Sequence, residues 1–198
     1  MTNEEAVDRF RDFLKSVPGY SLEAFALCEN FLEVIYLKKG DVFVERDKTC
    51  RRFAFVAEGI MRGFTLVEGN ENTTCICSEN TFATSTLSFI TQTPSNIAIQ
   101  ALNSVCLVTI SHEHINELYK ESPFWETVGR VVAEKEFVAL QLSSWRNSPI
   151  SAEAKYLILL KENPGIVNRI PLHFIASYIG VTPETLSRIR KRITLRKS

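Results

Sequence analysis

Between Phe31 and Ile110 the chain takes on a rhythm that few folds can accommodate. Seven short runs rich in Val, Ile, Phe and Thr follow one another: FLEVIYL, DVFVE, RRFAFVAEG, IMRGFTLVEG, TTCICS, SNIAIQA and SVCLVTI. Turn residues separate them at Gly40-Asp41, Glu58-Gly59, Gly69-Asn70 and Asn103-Ser104. Short strands with turns at fairly regular intervals predict an antiparallel sandwich or roll rather than a parallel α/β sheet. After Ser111 the helical period returns and persists. The expected class is therefore α+β, with an N-terminal antiparallel β-roll, flanking helices and a helical C-terminal part.

The helical segments carry their own punctuation. Val7, Phe10, Phe13 and Leu14 share one face of a helix over residues 4–15, and Ser21 is placed to cap a second through Leu22, Phe25, Leu27 and Cys28. The longest candidate runs from about 122 to 145. There Phe124, Val128, Val131, Lys135, Val138 and Leu142 alternate four- and three-residue steps, the spacing of a coiled-coil seam, which predicts pairing with a second copy, the alternative being a helix that packs on its own roll. Lys135 is the polar position, weakening the seam unless Glu134 or Glu136 of a partner reaches it. Asn147-Ser148-Pro149 reads as a hinge, Ser151 caps a helix through Lys161, and Asn163-Pro164-Gly165 ends it. The expected units are a roll over 1–121, a pairing helix over 122–146 and a C-terminal domain over 147–198.

Charge separates those units. Net charge over the 198 residues is zero, yet residues 151–198 carry nine Lys or Arg against three Asp or Glu, leaving +6 there and −6 on the rest. An acidic body with a basic head points to a polyanionic partner. The composition, 45% hydrophobic and 23% charged, is that of a folded globular chain. No apolar run reaches the roughly 18 residues that cross a bilayer, and MTNEEAVDRFRDFLK lacks the apolar core of a secretion signal, so a cytoplasmic protein without a membrane partner is expected. Five scattered cysteines do not form a disulfide framework. Cys75 and Cys77, two apart in a strand, are expected on one face in a structural role.

The basic head contains the sharpest motif, RIPLHFIASYIGVTPETLSRIRKRI. Ala176 suits a close helix crossing, and Gly180, four residues on, suits a turn with positive φ. Ile175, Ile179, Leu186 and Ile189 would form the core shared by two short helices, the first opened by Pro171. Thr182 caps the second, Pro183 opens it and Glu184 adds an acid to its first turn. This spacing predicts a helix-turn-helix. Glu184 and Arg188, one turn apart, are the expected base readers, since arginine can bridge guanine O6 and N7 and a carboxylate can accept from cytosine N4. An i,i+4 ion pair between them is the alternative use of the same spacing. Thr182, Ser187, Arg190, Lys191 and Arg192 would meet the DNA backbone, with Arg196, Lys197 and His173 as further candidates.

Two other classes compete. His112-Glu113-His114 with Glu117 superficially matches the metal ligands of cupin-like β-roll enzymes, but Ser111 reads as a cap for a helix on which the two histidines would splay. A ligand- or protein-interaction module without DNA binding is the other. No Gly-rich phosphate loop, nucleophile elbow or paired-carboxylate motif is found, so no catalytic residue, metal or cofactor is expected.

A β-rich domain, a seam helix, a hinge and a terminal helix-turn-helix, in that order, resemble the Crp/Fnr family of bacterial transcription regulators over essentially the whole chain. The recognition-helix segment is similar to that of the branch found in Bacteroidetes. KKGDVFVERD, FAFVAEGIMRGF and SVCLVTIS look like the opening, middle and closing strands of the family's cyclic-nucleotide-binding roll, with Gly40, Gly59 and Arg62 at its turns and strand arginine. The resemblance implies a homodimer on a pseudo-palindromic double-stranded operator, RNA polymerase as a further partner, and an effector pocket at Thr84, Ser85, Ser95 and Asn96. That pocket departs from the cyclic-AMP pattern. Thr84-Ser85-Thr86 stand where such binders have Gly-Glu-Leu, and Ser95-Asn96 where they have Arg-Ser. Without the arginine and glutamate the phosphate and ribose lose their partners, so the effector is expected not to be cyclic AMP. Nor does a cysteine cluster or axial ligand match the iron–sulfur or haem branches. The family's closing β-hairpin wing is not recognisable in ITLRKS, so either the wing is vestigial or the basic tail supplies its phosphate contacts.

Overall fold

A computed structural model describes residues 1–162 and 165–195. Asn163-Pro164 of the expected helix stop, and Arg196 and Lys197, lie outside the described residues.

Two helices come first, α1 (Asn3–Lys15) and α2 (Leu22–Glu29). Thr2 and Glu5 close a capping box on α1: the Thr2 hydroxyl accepts from the Glu5 N–H at 3.2 Å and the Glu5 carboxylate accepts from the Thr2 N–H at 2.7 Å. Ser21 caps α2 by accepting from the Ala24 N–H at 3.1 Å. Phe10, Phe13 and Leu14 face inward from α1, where Phe13 meets Phe82 edge-on at 5.1 Å between ring centres.

The seven runs all contain strands: β1 (Glu33–Leu37), β2 (Val42–Val44), β3 (Arg52–Glu58), β4 (Met61–Val67), β5 (Asn70–Cys77), β6 (Ala98–Ala101) and β7 (Val105–Ser111). They form two sheets, ordered β1-β7-β3 and β2-β6-β4-β5, in which every pairing is antiparallel. The central strand β7 is buried from Val105 to Ile110, which explains its unbroken apolar run. At the β3–β4 turn Gly59 has φ +98°, and a Cβ there would run into the Ser104 carbonyl oxygen, so the turn requires glycine. Between β5 and β6 lies α3 (Thr86–Thr91), too short for a helical period to register in the sequence.

From β7 the chain passes into α4 (His112–Glu121), capped by the Ser111 hydroxyl, and then α5 (Pro123–Leu142) with proline in its first turn. The α-helical part of the long helix therefore stops short of Trp145, and a 3₁₀ turn over Ser143–Asn147 follows. The expected seam is divided. Phe124 and Val128 are buried in the chain's own core together with Trp125 and Val132, and Val131 packs against that core. The reason is the seating of α5 on its own neighbours: the Trp125 indole N–H donates to the Ala24 carbonyl at 3.0 Å, and Phe124 packs edge-on to Tyr20. Lys135 is exposed, with its ammonium 4.7 Å over the Phe13 ring. The later positions Val138 and Leu142 are also exposed, at 53% and 60%, alongside exposed Phe137 and Leu140.

The C-terminal helices are α6 (Ala152–Glu162), α7 (Leu172–Ile179) and α8 (Pro183–Leu195). Ser151 caps α6 through the Ala154 N–H at 3.2 Å. Their apolar residues, among them Tyr156, Leu159, Ile175 and Leu186, form a second core that Ile60 and Leu102 of the roll complete.

Candidate nucleic-acid interface

The two helices of the basic head are held at their corner by the residues the spacing singles out. Ile175, Ala176, Ile179, Leu186 and Ile189 are all buried between α7 and α8. Gly180 ends α7 with φ +76°, and the Val181 N–H returns to the Ala176 carbonyl at 2.9 Å, as in a Schellman turn. Pro171 sits at the cap position just before α7, not inside its first turn. Thr182 caps α8 by accepting from the Thr185 N–H at 3.3 Å, and Pro183 is its first residue.

With the apolar side of α8 buried, its polar side faces outward. Glu184, Ser187, Arg188, Lys191 and Arg192 are exposed and Arg190 half-buried. Glu184, Ser187 and Arg188 come together around one shallow depression with Leu172 and Pro183. The alternative ion pair between Glu184 and Arg188 is not made: Arg188 points to the Thr185 hydroxyl at 3.4 Å. The Glu184 carboxyl is held below the usual carboxylate range, first by its own backbone N–H at the helix start and then by the Thr182 hydroxyl, so it stays an acceptor. Arg192 is less free than its neighbours, being paired with Glu153 of α6 at 2.9 Å. His173 lies on α7, its ring 3.9 Å from that of Phe174.

Sequence reasoning missed how the head is fixed to the roll. The Arg62 guanidinium, buried in β4, lies between the Phe64 ring at 4.2 Å and the Phe174 ring of α7 at 3.9 Å, and also pairs with Glu71. The Ser177 hydroxyl accepts from the Thr73 N–H of β5 at 2.9 Å. Arg169 forms a two-pronged pair with Glu79 at 2.6 and 3.0 Å, which holds the Glu79 carboxyl down at about 2. Arg146 reaches the Thr74 carbonyl and lies 4.5 Å from the Tyr178 ring. A signal existed in Phe174 and Tyr178, two aromatics one turn apart on α7 that the helix-turn-helix core does not use.

The expected effector residues are divided between the interior and the surface of the roll. Ser85 and Ser95 are buried, and the Ser95 hydroxyl hydrogen-bonds that of Ser85 at 2.8 Å. The Thr84 hydroxyl accepts from the Ala54 N–H at 3.2 Å, while Asn96 is exposed. The serine pair thus ties residues 85 and 95 together, and of the four polar side chains three are hydrogen-bonded within the chain and the fourth, Asn96, is exposed. The histidines of α4 splay as the helix demands: His114 stacks on Phe31 at 4.2 Å and His112 packs edge-on to Phe89. Among the described residues no three potential ligands gather around a metal position. Cys75 and Cys77 are free thiols on β5, and their mutual hydrogen bond lowers Cys75 while raising Cys77.

Residues 34–122 match the family model for the cyclic nucleotide-binding domain. No curated protein matches the chain. Among solved structures, FixK2 of Bradyrhizobium japonicum is similar with a TM-score of 0.72 at 12% identity, covering 84% of this chain and 86% of its own. A CooA variant from Carboxydothermus hydrogenoformans aligns with a TM-score of 0.68 at 15% identity, covering 92% and 83%. The c-di-GMP-responsive global regulator CLP of Xanthomonas campestris gives 0.66 at 12% identity, covering 89% and 93%. No helix among the described residues is long and apolar enough to cross a membrane. Residues 34–122 are thus similar to a cyclic nucleotide-binding domain, and the chain shares its fold with these structures and with a putative Crp/Fnr-family transcriptional regulator from Eubacterium rectale, at a TM-score of 0.67 and 18% identity.

Proposed function

We propose that the chain is a sequence-specific DNA-binding transcription regulator, working as a homodimer, whose effector is not cyclic AMP. The observation that carries this reading is α8: its apolar side is buried in the head, and Glu184, Ser187, Arg188 and Lys191 stand exposed on the other. Glu184 and Arg188 read base edges in the major groove, and Thr182, Ser187, Arg190 and Lys191 hold the backbone. Arg192 joins them once its pair with Glu153 opens. Exposed Phe137, Val138, Leu140 and Leu142 support pairing of two copies along the second half of α5. Two recognition helices would then enter successive major grooves about 34 Å apart on a pseudo-palindrome. The Ser85–Ser95 hydrogen bond, and Ser95-Asn96 in place of an Arg-Ser pair, support an effector other than cyclic AMP.

The test is a gel-shift series on fragments selected from genomic DNA. Binding by several phosphate contacts falls steeply with salt, as the salt concentration raised to a power set by the number of phosphates neutralised. A steep decline together with a selected palindromic motif is expected. Affinity that does not change with salt overturns the reading.

A further inference from the structure

An apolar cavity of about 110 Å³ lies between the roll and α5, apart from the serine pair. Phe10, Phe53, Phe89, Trp125 and Val132 supply much of its wall, drawn from α1, β3, α3 and α5. Ile90 of α3 also lines it and is 67% exposed, which places a mouth there. Three oxygen-bearing side chains interrupt the apolar lining: Thr86, Tyr119 and Glu136. None of these side chains has a hydrogen bond or ion pair within the protein among the described residues. Gly129 allows this arrangement, because a Cβ there would meet the Tyr119 hydroxyl at 2.5 Å.

An unfilled apolar hollow lowers stability in proportion to its volume. Here the hollow is kept beside three unused polar groups, the layout of a small-molecule site with a few converging polar contacts. Its size sets the ligand: an apolar cavity of roughly 150 Å³ holds one benzene ring, so this one seats a single ring closely. Its walls reject charge, since no basic side chain lines it to balance an anion. Burial also pushes the Glu136 carboxyl up, toward the protonated form that can donate a hydrogen bond.

We propose that this cavity is an effector site for a small uncharged one-ring aromatic molecule bearing a hydroxyl group, with the ring among the phenylalanines and the hydroxyl at Tyr119 and Glu136. The effector role rests on the regulator reading above. Its route to the DNA would be α5, because Trp125, Val132 and Glu136 are cavity wall while Phe137 to Leu142 of the same helix carry the exposed apolar positions.

The experiment is ¹⁹F NMR on the full chain with 4-fluorophenol, fluorobenzene and 4-fluorobenzoate, followed by operator binding with and without 4-fluorophenol. Saturable binding of 4-fluorophenol is expected at about 1 mM or tighter. Fluorobenzene should bind about 5-fold or more weaker, having lost the hydrogen bond, and the benzoate weakest of all. Val132→Phe should fill the cavity and abolish binding. Should that variant fail to fold, Glu136→Leu serves, and it should narrow the difference between the phenol and fluorobenzene to about twofold or less. Absence of phenol binding, stronger benzoate binding, or binding unchanged in a folded variant overturns the site. Binding that leaves operator affinity unchanged overturns the effector role. Absence of DNA binding both with and without 4-fluorophenol would sink the regulator reading instead, so the two failures are read separately.

Discussion

The head and the roll use their polar residues in opposite ways. In α8 the buried positions are apolar and the polar ones face solvent, so Glu184, Ser187 and Arg188 remain available to a partner. In the roll, Ser85 and Ser95 are turned toward each other inside, and buried Arg62 is committed to Phe64, Phe174 and Glu71. Both regions share the fold of the similar solved structures. What separates them is whether polar groups are left uncommitted, because a group already hydrogen-bonded at good geometry gains little from a ligand. A fold can thus survive on its apolar pattern while the chemistry it once carried is replaced.

The sharpest way to break the contrast is to loosen the head. Leu186→Ala empties a fully buried position between α7 and α8 and should cost about 2–5 kcal/mol, read as a fall in Tm by calorimetry, with operator binding lost. If binding persisted, the recognition surface would not depend on the helix-turn-helix core. Next in size, Arg188→Ala should weaken operator binding by about 1–3 kcal/mol and relax one base position, measured against a set of operator variants. Unchanged preference would remove Arg188 from the reading face.

A smaller effect tests the contact between the two regions. Arg169 holds the Glu79 carboxyl at about 2, below its ordinary 4.5. A depressed carboxylate contributes its full stability above about pH 4.5 and loses it as pH falls toward about 2. Because Arg169 is 44% exposed, solvent screening limits the pair to about 1 kcal/mol or less. Arg169→Gln should lower stability by that amount at neutral pH, and urea titrations of the two proteins should converge as pH drops below about 4.5. A constant difference across that range would mean the loss comes from somewhere other than the pair. Smallest of all, cyclic AMP should leave operator affinity within about twofold, since no arginine stands ready for its phosphate. A large response would overturn the proposal that the effector is not cyclic AMP.

Much of this was readable beforehand because it depends on local patterns. All seven strands announced themselves through short β-rich runs and turn residues, and the helix-turn-helix through Ala176, Gly180 and the spacing of Ile175, Ile179, Leu186 and Ile189. The short α3 was not readable, since six residues give the helical period too little length to show. Nor was the division of α5. A stripe at four- and three-residue steps serves equally for packing on one's own core and for pairing with a copy, and tertiary contacts with Ala24 and Phe13 decide where one gives way to the other. The docking of α7 on β5 and the cavity beside Glu136 belong to the same category. Both join residues far apart in sequence, whose proximity no local pattern encodes.

The Ser177 hydroxyl that accepts from the Thr73 N–H has a consequence for any attempt to cut the protein in two. β5 is the outer strand of its sheet, and its free side would otherwise offer unpaired backbone groups to any passing strand. The head is therefore a cover for that edge. Removing it would leave a roll with an open edge prone to self-association, so a truncated effector domain should be studied with that edge blocked.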